Sequence, residues 1–195
     1  MDHDLEKIRE LISSFIEISD SEWAQYSPKF TVEKFSKKEV ILCQNTICKN
    51  IYFIINGLIR SYYVDDNDEE RIFHFAVENT FATNYESFIK GIPSSFSMQA
   101  SENTTVLVIT IEMVQELYKN LKNGEKLGRL IAENYFFMLN DRIKALYTQT
   151  PLQRYNSMNA TFPRILERVP QHYIASYLNI TSVHLSRLKY GNKED

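Results

Sequence analysis

The stretch Gln171-His172-Tyr173-Ile174-Ala175-Ser176-Tyr177-Leu178-Asn179-Ile180-Thr181-Ser182-Val183-His184-Leu185-Ser186-Arg187-Leu188-Lys189-Tyr190 decides how the rest of the chain is read. Two short helices crossing closely need a small residue at the crossing, and Ala175 supplies one. The turn between them needs a residue that tolerates positive φ, and Asn179 does. Ile174, Leu178, Ile180, Leu185 and Leu188 fall where such a pair buries itself. Thr181 is placed to cap the second helix. Ser182, Val183, Ser186, Arg187 and Tyr190 then share the outward face at helical spacing. This is the pattern of a helix-turn-helix whose second helix can enter a major groove. An ordinary helical hairpin remains the competing reading.

Charge points the same way. Residues 1–141 hold 14 Lys+Arg and 22 Asp+Glu, a balance of −8, whereas residues 142–195 hold 8 and 3, a balance of +5. A basic end on an acidic body suits an end that meets a polyanion.

Upstream the period changes. Phe30-Thr31-Val32, Val40-Ile41-Leu42, Ile51 to Ile55, Leu58 to Val64, Arg71 to Val77 and Val106 to Ile109 read as short strands. Asn56-Gly57 is a hairpin signal, and Asp65-Asp66-Asn67-Asp68 marks a second turn. Strands this short and this close predict a barrel or jelly-roll. Residues 2–26 read as helical, with a fresh start at Ser19. From Ile111 to Tyr147 the spacing predicts one long helix, interruptible at Lys122-Asn123-Gly124. Leu127, Leu130, Ile131, Asn134, Phe137 and Met138 form its stripe, a face too wide for a helix packed only on its own roll. They are the expected dimer seam. Pro151, Pro163 and Pro170 divide the remaining chain into short helices.

The expected class is therefore α+β. N-terminal helices and a double-stranded β-helix, or jelly-roll, occupy residues 1–110. A long dimerisation helix takes 111–148, and an all-α helix-turn-helix domain 149–195. The chain of 195 residues and 22.9 kDa accommodates this. No run of about 18 apolar residues is present, so no transmembrane helix or membrane partner is expected. The acidic Met1-Asp2-His3-Asp4 start does not read as a signal peptide, and a cytoplasmic location is expected.

The order of strand-rich domain, long helix and helix-turn-helix resembles the CRP/FNR family of bacterial transcription regulators. Ile51-Tyr52-Phe53-Ile54-Ile55-Asn56-Gly57-Leu58-Ile59-Arg60 is similar to that family's strand–glycine–strand hairpin. Arg168-Val169-Pro170-Gln171-His172-Tyr173-Ile174-Ala175-Ser176-Tyr177-Leu178 resembles the short form common in Bacteroidetes members. The resemblance implies a cyclic-nucleotide-binding-like roll, a homodimer and double-stranded DNA as partner. RNA polymerase and a small-molecule effector are further candidate partners.

Two departures qualify it. The family's Gly-Glu pair for the ribose falls near Ala82-Thr83-Asn84, and its Arg-Ser pair for the cyclic phosphate near Ser94-Ser95. Neither the Gly-Glu pair nor the arginine is there. A buried phosphate without a cation is poorly compensated, so cAMP is not expected in the usual mode. The candidate effector pocket comprises Phe81, Thr83, Asn84, Ser94 and Ser95, with Arg71 or Arg129 as substitute cations. The second departure is that five residues after Tyr190 leave no room for a β-hairpin wing. Either this branch reads DNA without one or the chain is a shortened one.

On the reading helix, the family's Arg-Glu pair aligns with Ser182-Val183 and its later arginine with Arg187. Arg187 is then the expected guanine reader, and Val183 suits a thymine methyl. Thr181, Ser182, His184, Ser186 and Lys189 complete the expected DNA-contacting set, with Lys189 and Lys193 on phosphates.

Other constellations carry less. Cys43 and Cys48 do not make a four-cysteine cluster, and of four histidines only His74 lies in the strand region. No metal or cofactor is expected. The acidic run 65–70 lacks the EF-hand's glycine and spaced glutamate and reads as a solvated hairpin tip. No nucleophile–base–orienter set can be assembled, so no enzyme is expected. The alternative function is a degenerate sensor or protein-interaction module without DNA binding.

Overall fold

The computed structural model describes residues 2–162 and 164–191. Pro163 and Lys193 lie outside the described residues, as does the side chain of Tyr190. Two helices open the chain, α1 (Asp2–Phe15) and α2 (Asp20–Tyr26). Ser19 caps α2 in a reciprocal capping box with Glu22. Eight strands come next: β1 (Thr31–Phe35), β2 (Val40–Leu42), β3 (Asn50–Asn56), β4 (Ile59–Val64), β5 (Glu70–Ala76), β6 (Phe81–Ala82), β7 (Ser97–Ala100) and β8 (Thr104–Thr110). A short helix, α3 (Tyr85–Lys90), interrupts them.

The strands form two four-stranded antiparallel sheets, ordered β1-β8-β3-β6 and β2-β7-β4-β5. Phe53, Ile54, Ile59, Met98, Val106 and Leu107 are all fully buried in the core that the roll builds. The β3–β4 turn depends on Gly57 at φ 109°. A Cβ there would lie 2.5 Å from Thr104 Oγ1 and 2.6 Å from Thr104 Cα, so only glycine fits. At the other turn, Asp65 Oδ1 accepts from the amides of Asn67 and Glu69. The acidic run thus holds its own loop.

The expected helix from Ile111 to Tyr147 is two helices, α4 (Ile111–Asn120) and α5 (Gly124–Thr148). Leu121 is extended, at φ −81° and ψ 128°, and buries its side chain. Gly124 lies so close to the Leu117 carbonyl that no Cβ could be placed there. Then come α6 (Pro151–Thr161), α7 (Ile165–Arg168), α8 (Gln171–Leu178) and α9 (Ser182–Gly191). Thr150 and Gln153 form a capping box for α6, with Pro151 in its first turn.

Two buried clusters organise these elements. One fills the roll and takes in Ile8, Ile12 and Ile16 from the N-terminal segment, Met113 and Val114 of α4, and Leu127 of α5. The second joins Leu58, Tyr62, Ile72 and Phe75 of the roll to Tyr155, Met158, Phe162, Ile165, Ile174, Tyr177, Leu178 and Leu185. The C-terminal helices therefore share a core with the roll. No helix among the described residues is long and apolar enough to cross a membrane.

Candidate nucleic-acid interface and effector region

In the C-terminal helix pair, Ala175 is buried at the crossing of α8 and α9, between Ile174 and Leu178 of its own helix and Leu185 of the next. Asn179 ends α8 at φ 54° and ψ 50°, and its amide donates to the Ala175 and Ser176 carbonyls. The Ile180 amide returns to the Ala175 carbonyl at 3.0 Å. Thr181 Oγ1 accepts from the His184 amide at 3.1 Å, capping α9. Ser182, Val183, His184 and Arg187 are exposed, and Val183 keeps 62% of its surface. Ser186 and Lys189 are half-buried on the flanks. Thr181 is exposed at the start of this face. An open helix with hydroxyls, an imidazole and a guanidinium along one side can address base edges and phosphates.

The basic tail is used differently from the sequence expectation. Arg142 of α5 donates to the Tyr177 carbonyl and stacks on the Tyr177 ring, 3.6 Å from its centroid. Arg154 of α6 donates to the carbonyls of Leu178 and Gln149 at 3.1 and 2.7 Å. Both guanidiniums meet the negative end of α8. Arg168 faces two carboxylates of the roll, Glu78 and Glu102. Three arginines counted toward a polyanion are therefore used inside the protein: Arg154 ties α6 to α8, Arg142 ties α5 to α8, and Arg168 ties α7 to the roll.

The roll side of this contact is built around β5, the edge of its sheet. Ser176 Oγ accepts from the Ile72 amide at 2.9 Å and donates to the Glu70 carbonyl at 3.2 Å. An exposed edge strand is thus covered by a helix. Arg60, 1% exposed, lies between the rings of Tyr62 and Tyr173, 4.2 and 4.0 Å from their centroids. It pairs with Glu70 at 2.6 Å and donates to Gln99. Burial opposes ionisation of Glu70, but the Arg60 guanidinium outweighs it and holds the carboxyl below its usual range.

The expected effector residues have other tasks. Asn84 caps α3 by accepting from the Ser87 amide, and its Nδ2 donates to Ser94 Oγ at 2.8 Å. Ser94, 1% exposed, donates onward to the Phe96 carbonyl at 2.6 Å. Thr83 donates to the Asn50 carbonyl. Ser95 is exposed. Phe81 packs on Phe53 with ring centroids 5.5 Å apart. Arg71 is held at the hairpin tip by Asp65 and Glu69, and Arg129 by Glu133 one turn along α5. Neither arginine is brought to Ser94.

Aromatic rings gather nearby: Phe73 lies 4.8 Å from both Tyr63 and Phe96. On α5, burial with Tyr63 close by pushes the Tyr135 phenol up to about 12. His74 lies edge-on to Tyr135 at 5.9 Å. Burial, with the Arg142 charge, lowers His74 to about 4, so it is neutral in the fold. Two surface grooves, of about 310 and 500 Å³, meet at Ile47-Cys48-Lys49-Asn50, and none of the seven expected effector residues lines either. No cluster of three or more metal-ligating side chains occurs among the described residues.

Comparison with known proteins gives this architecture its relatives. Residues 32–121 match the family described as the cyclic nucleotide-binding domain. FixK2 from Bradyrhizobium japonicum is similar in structure, with TM-score 0.71 and 16% identity over 83% of each chain. A protein assigned to the CRP/FNR family of transcriptional regulators from Eubacterium rectale gives 0.67 and 14%, over 91% of this chain and 85% of that one. The c-di-GMP-responsive global regulator CLP of Xanthomonas campestris gives 0.66 and 12%, over 88% and 90%. The fold is that of CRP/FNR regulators. No curated protein sequence matches the chain.

The cyclic nucleotide-binding match takes in Asn84, Ser94 and the break at Leu121, and α8 and α9 lie beyond it. On α5, Leu127 is buried in the roll cluster, and Leu130 and Ile131 pack against it. Asn134, Phe137 and Met138 are exposed, together with Phe136, Ile143, Leu146 and Tyr147. The expected seam is thus split between two faces of the helix. Arg60, Arg142, Arg154, Arg168 and Ser176 escaped the sequence reading. A lone arginine inside the apolar run Ile51 to Val64 was the one available signal, because a central strand position rarely tolerates an unpaired charge.

Proposed function

We propose that the chain is a homodimeric, DNA-binding transcription regulator whose roll does not take cAMP in the family's usual mode. The observation that carries this reading is the capped, exposed α9, with Ser182, Val183, His184 and Arg187 facing outward. Arg187 reads a G·C pair and Val183 meets a thymine methyl, while Lys189 contacts phosphate. Ser182 and Val183 stand where the family has an arginine and a glutamate. The preferred half-site therefore differs from the family's best-known operator.

Dimerisation uses the outer face of α5. Ala132, Phe136, Leu139, Ile143 and Leu146 recur at alternating four- and three-residue steps, the spacing of a coiled-coil seam. Phe136 and Ile143 are 64% and 54% exposed, far more than a helix covered within one subunit would leave. Replacing both by Glu is expected to give monomers in light scattering, because each puts a charge into an apolar seam. A variant that stays dimeric removes the assignment. Leu130, by contrast, packs toward the roll, so its replacement by Glu is expected to lower stability instead.

The test of function is selection from random duplex DNA. A palindrome with half-sites about one helical turn apart is expected. Failure to enrich any duplex would favour the alternative, a sensor or interaction module, which the internal use of Arg142, Arg154 and Arg168 supports.

A further inference from the structure

We infer that Arg168 is a positioning residue for DNA reading: its fork between Glu78 and Glu102 fixes α8, and through it α9, on the roll. The inference rests on the DNA-binding reading above. Arg168 Nη1 and Nη2 donate to both oxygens of Glu78, at 3.0 and 2.8 Å. Nη2 also reaches Glu102 Oε1 at 2.6 Å and the Gly57 carbonyl at 2.9 Å, and Nε lies 3.4 Å from Glu102 Oε2. The guanidinium side chain is 21% exposed. Only a planar fork of five donors can serve two carboxylates and a carbonyl together. Glu78 is itself oriented, because it accepts from the Gly57 amide at 2.9 Å. The clamp therefore grips a turn of the roll at which only glycine fits.

Its place in the chain gives it leverage. Arg168 stands two residues before Pro170, the N-cap of α8, which makes no side-chain capping bond. The far end of α8 is held by Arg142 and Arg154, and its middle by Ser176 on β5. At the entry, Tyr173 in the first turn stacks on Arg60, and Arg168 ties down the segment that leads into the helix. A two-fold reader must place both copies of α9 about one helical turn of DNA apart. A tilt of α8 in each subunit alters that separation twice over. Arg168 does not lie on the exposed face of α9, so its effect on reading passes through α8.

The test uses the full chain and the duplex selected by the wild type, with the spacer between half-sites lengthened and shortened by one and two base pairs. Wild type is expected to prefer one spacing. Arg168→Met is expected to lose about tenfold at that spacing, a middling coupling between sites, and to lose little at the others. The profile flattens. Arg168→Lys should flatten it as well, since an ammonium cannot form the fork. Glu78→Gln with Glu102→Gln removes the clamp without leaving two carboxylates face to face, and should flatten it too.

Hydrogen exchange of the same variants, without DNA, is expected to speed up in α8 and leave β3 and β8 unchanged. An equal affinity loss at every spacing, with a salt slope reduced by about one per subunit, would make Arg168 a phosphate contact and overturn the inference. An unaltered profile with unaltered α8 exchange overturns it as well. If the wild type selects no duplex, the DNA reading fails and the positional role with it. The exchange result still decides whether the clamp holds α8.

Discussion

The expected effector region and the proposed reading helix use the same kinds of side chain in opposite ways. Around α3, the polar groups of Thr83, Asn84 and Ser94 are engaged with each other and with nearby backbone. On α9, Ser182, His184 and Arg187 point outward. Polar groups satisfied within a fold stabilise it and are closed to a ligand. Polar groups left at the surface of a capped helix cost little in water and can be traded for contacts to a partner. On the proposed function the roll is a platform, and the recognition surface lies on the helices it carries.

The boundary between the two regions is where this contrast breaks most easily. Phe75 is fully buried among Tyr177 and Phe162, with centroids 5.1 and 6.1 Å away. Phe75→Ala is expected to cost about 3–5 kcal/mol. Because its cluster holds residues of both regions, near- and far-ultraviolet signals should still melt together. Two separated transitions in calorimetry would show that roll and reader are independent after all.

His74 offers a second lever, through pH. In the fold it titrates at about 4, against 6.5 when unperturbed. Between those values the unfolded chain binds the extra proton, so stability falls as pH falls from 6.5 toward 4. The full effect is about 3 kcal/mol, at ~1.4 kcal/mol per pKa unit. His74→Gln should remove that part of the slope, measured by urea unfolding at pH 7 and pH 4.5. Equal slopes in both proteins would mean that His74 is solvated.

Within the effector region, Ser94→Ala deprives Asn84 Nδ2 and the Phe96 carbonyl of a buried partner. A loss of about 1–3 kcal/mol is expected in denaturant unfolding. A neutral or stabilised variant would mean that Ser94 is held ready for a ligand. The smallest expected effect is none: calorimetric titration with cAMP or cGMP should give no binding heat. Micromolar binding would show that another cation reaches the site.

How legible each feature was in the sequence depends on how local its signal is. The β3–β4 and β4–β5 hairpins, the Ser19 start and the Thr181 cap are written in adjacent residues, and periodicity carries the strands between them. β6 has two residues and β7 reads Ser-Met-Gln-Ala, so neither has enough alternation to stand out. The break at Leu121 was visible only as the neighbouring Asn123-Gly124. The split of the α5 stripe depends on what packs against it, since Leu127 and Phe137 are equally apolar and only the roll distinguishes them. The arginines were least legible. Arg168 pairs with carboxylates 66 and 90 residues away, and Arg142 with a carbonyl 35 residues away. Charge counted along the chain assigned them to DNA, whereas folding assigns them to the protein.

The exposed guanidinium of Arg187 is where the account stands or falls. Duplex selection should be run in parallel with wild type, Arg187→Ala and Lys189→Ala. Wild type is expected to yield a palindrome with a G·C pair in each half-site that Arg187→Ala no longer requires, a loss of about 1–3 kcal/mol of discrimination at that position. Lys189→Ala should keep the motif, weaken all sequences alike and lower the salt slope by about one per subunit. If Arg187→Ala returns the wild-type motif unchanged, or if wild type enriches nothing, α9 is not a reading helix.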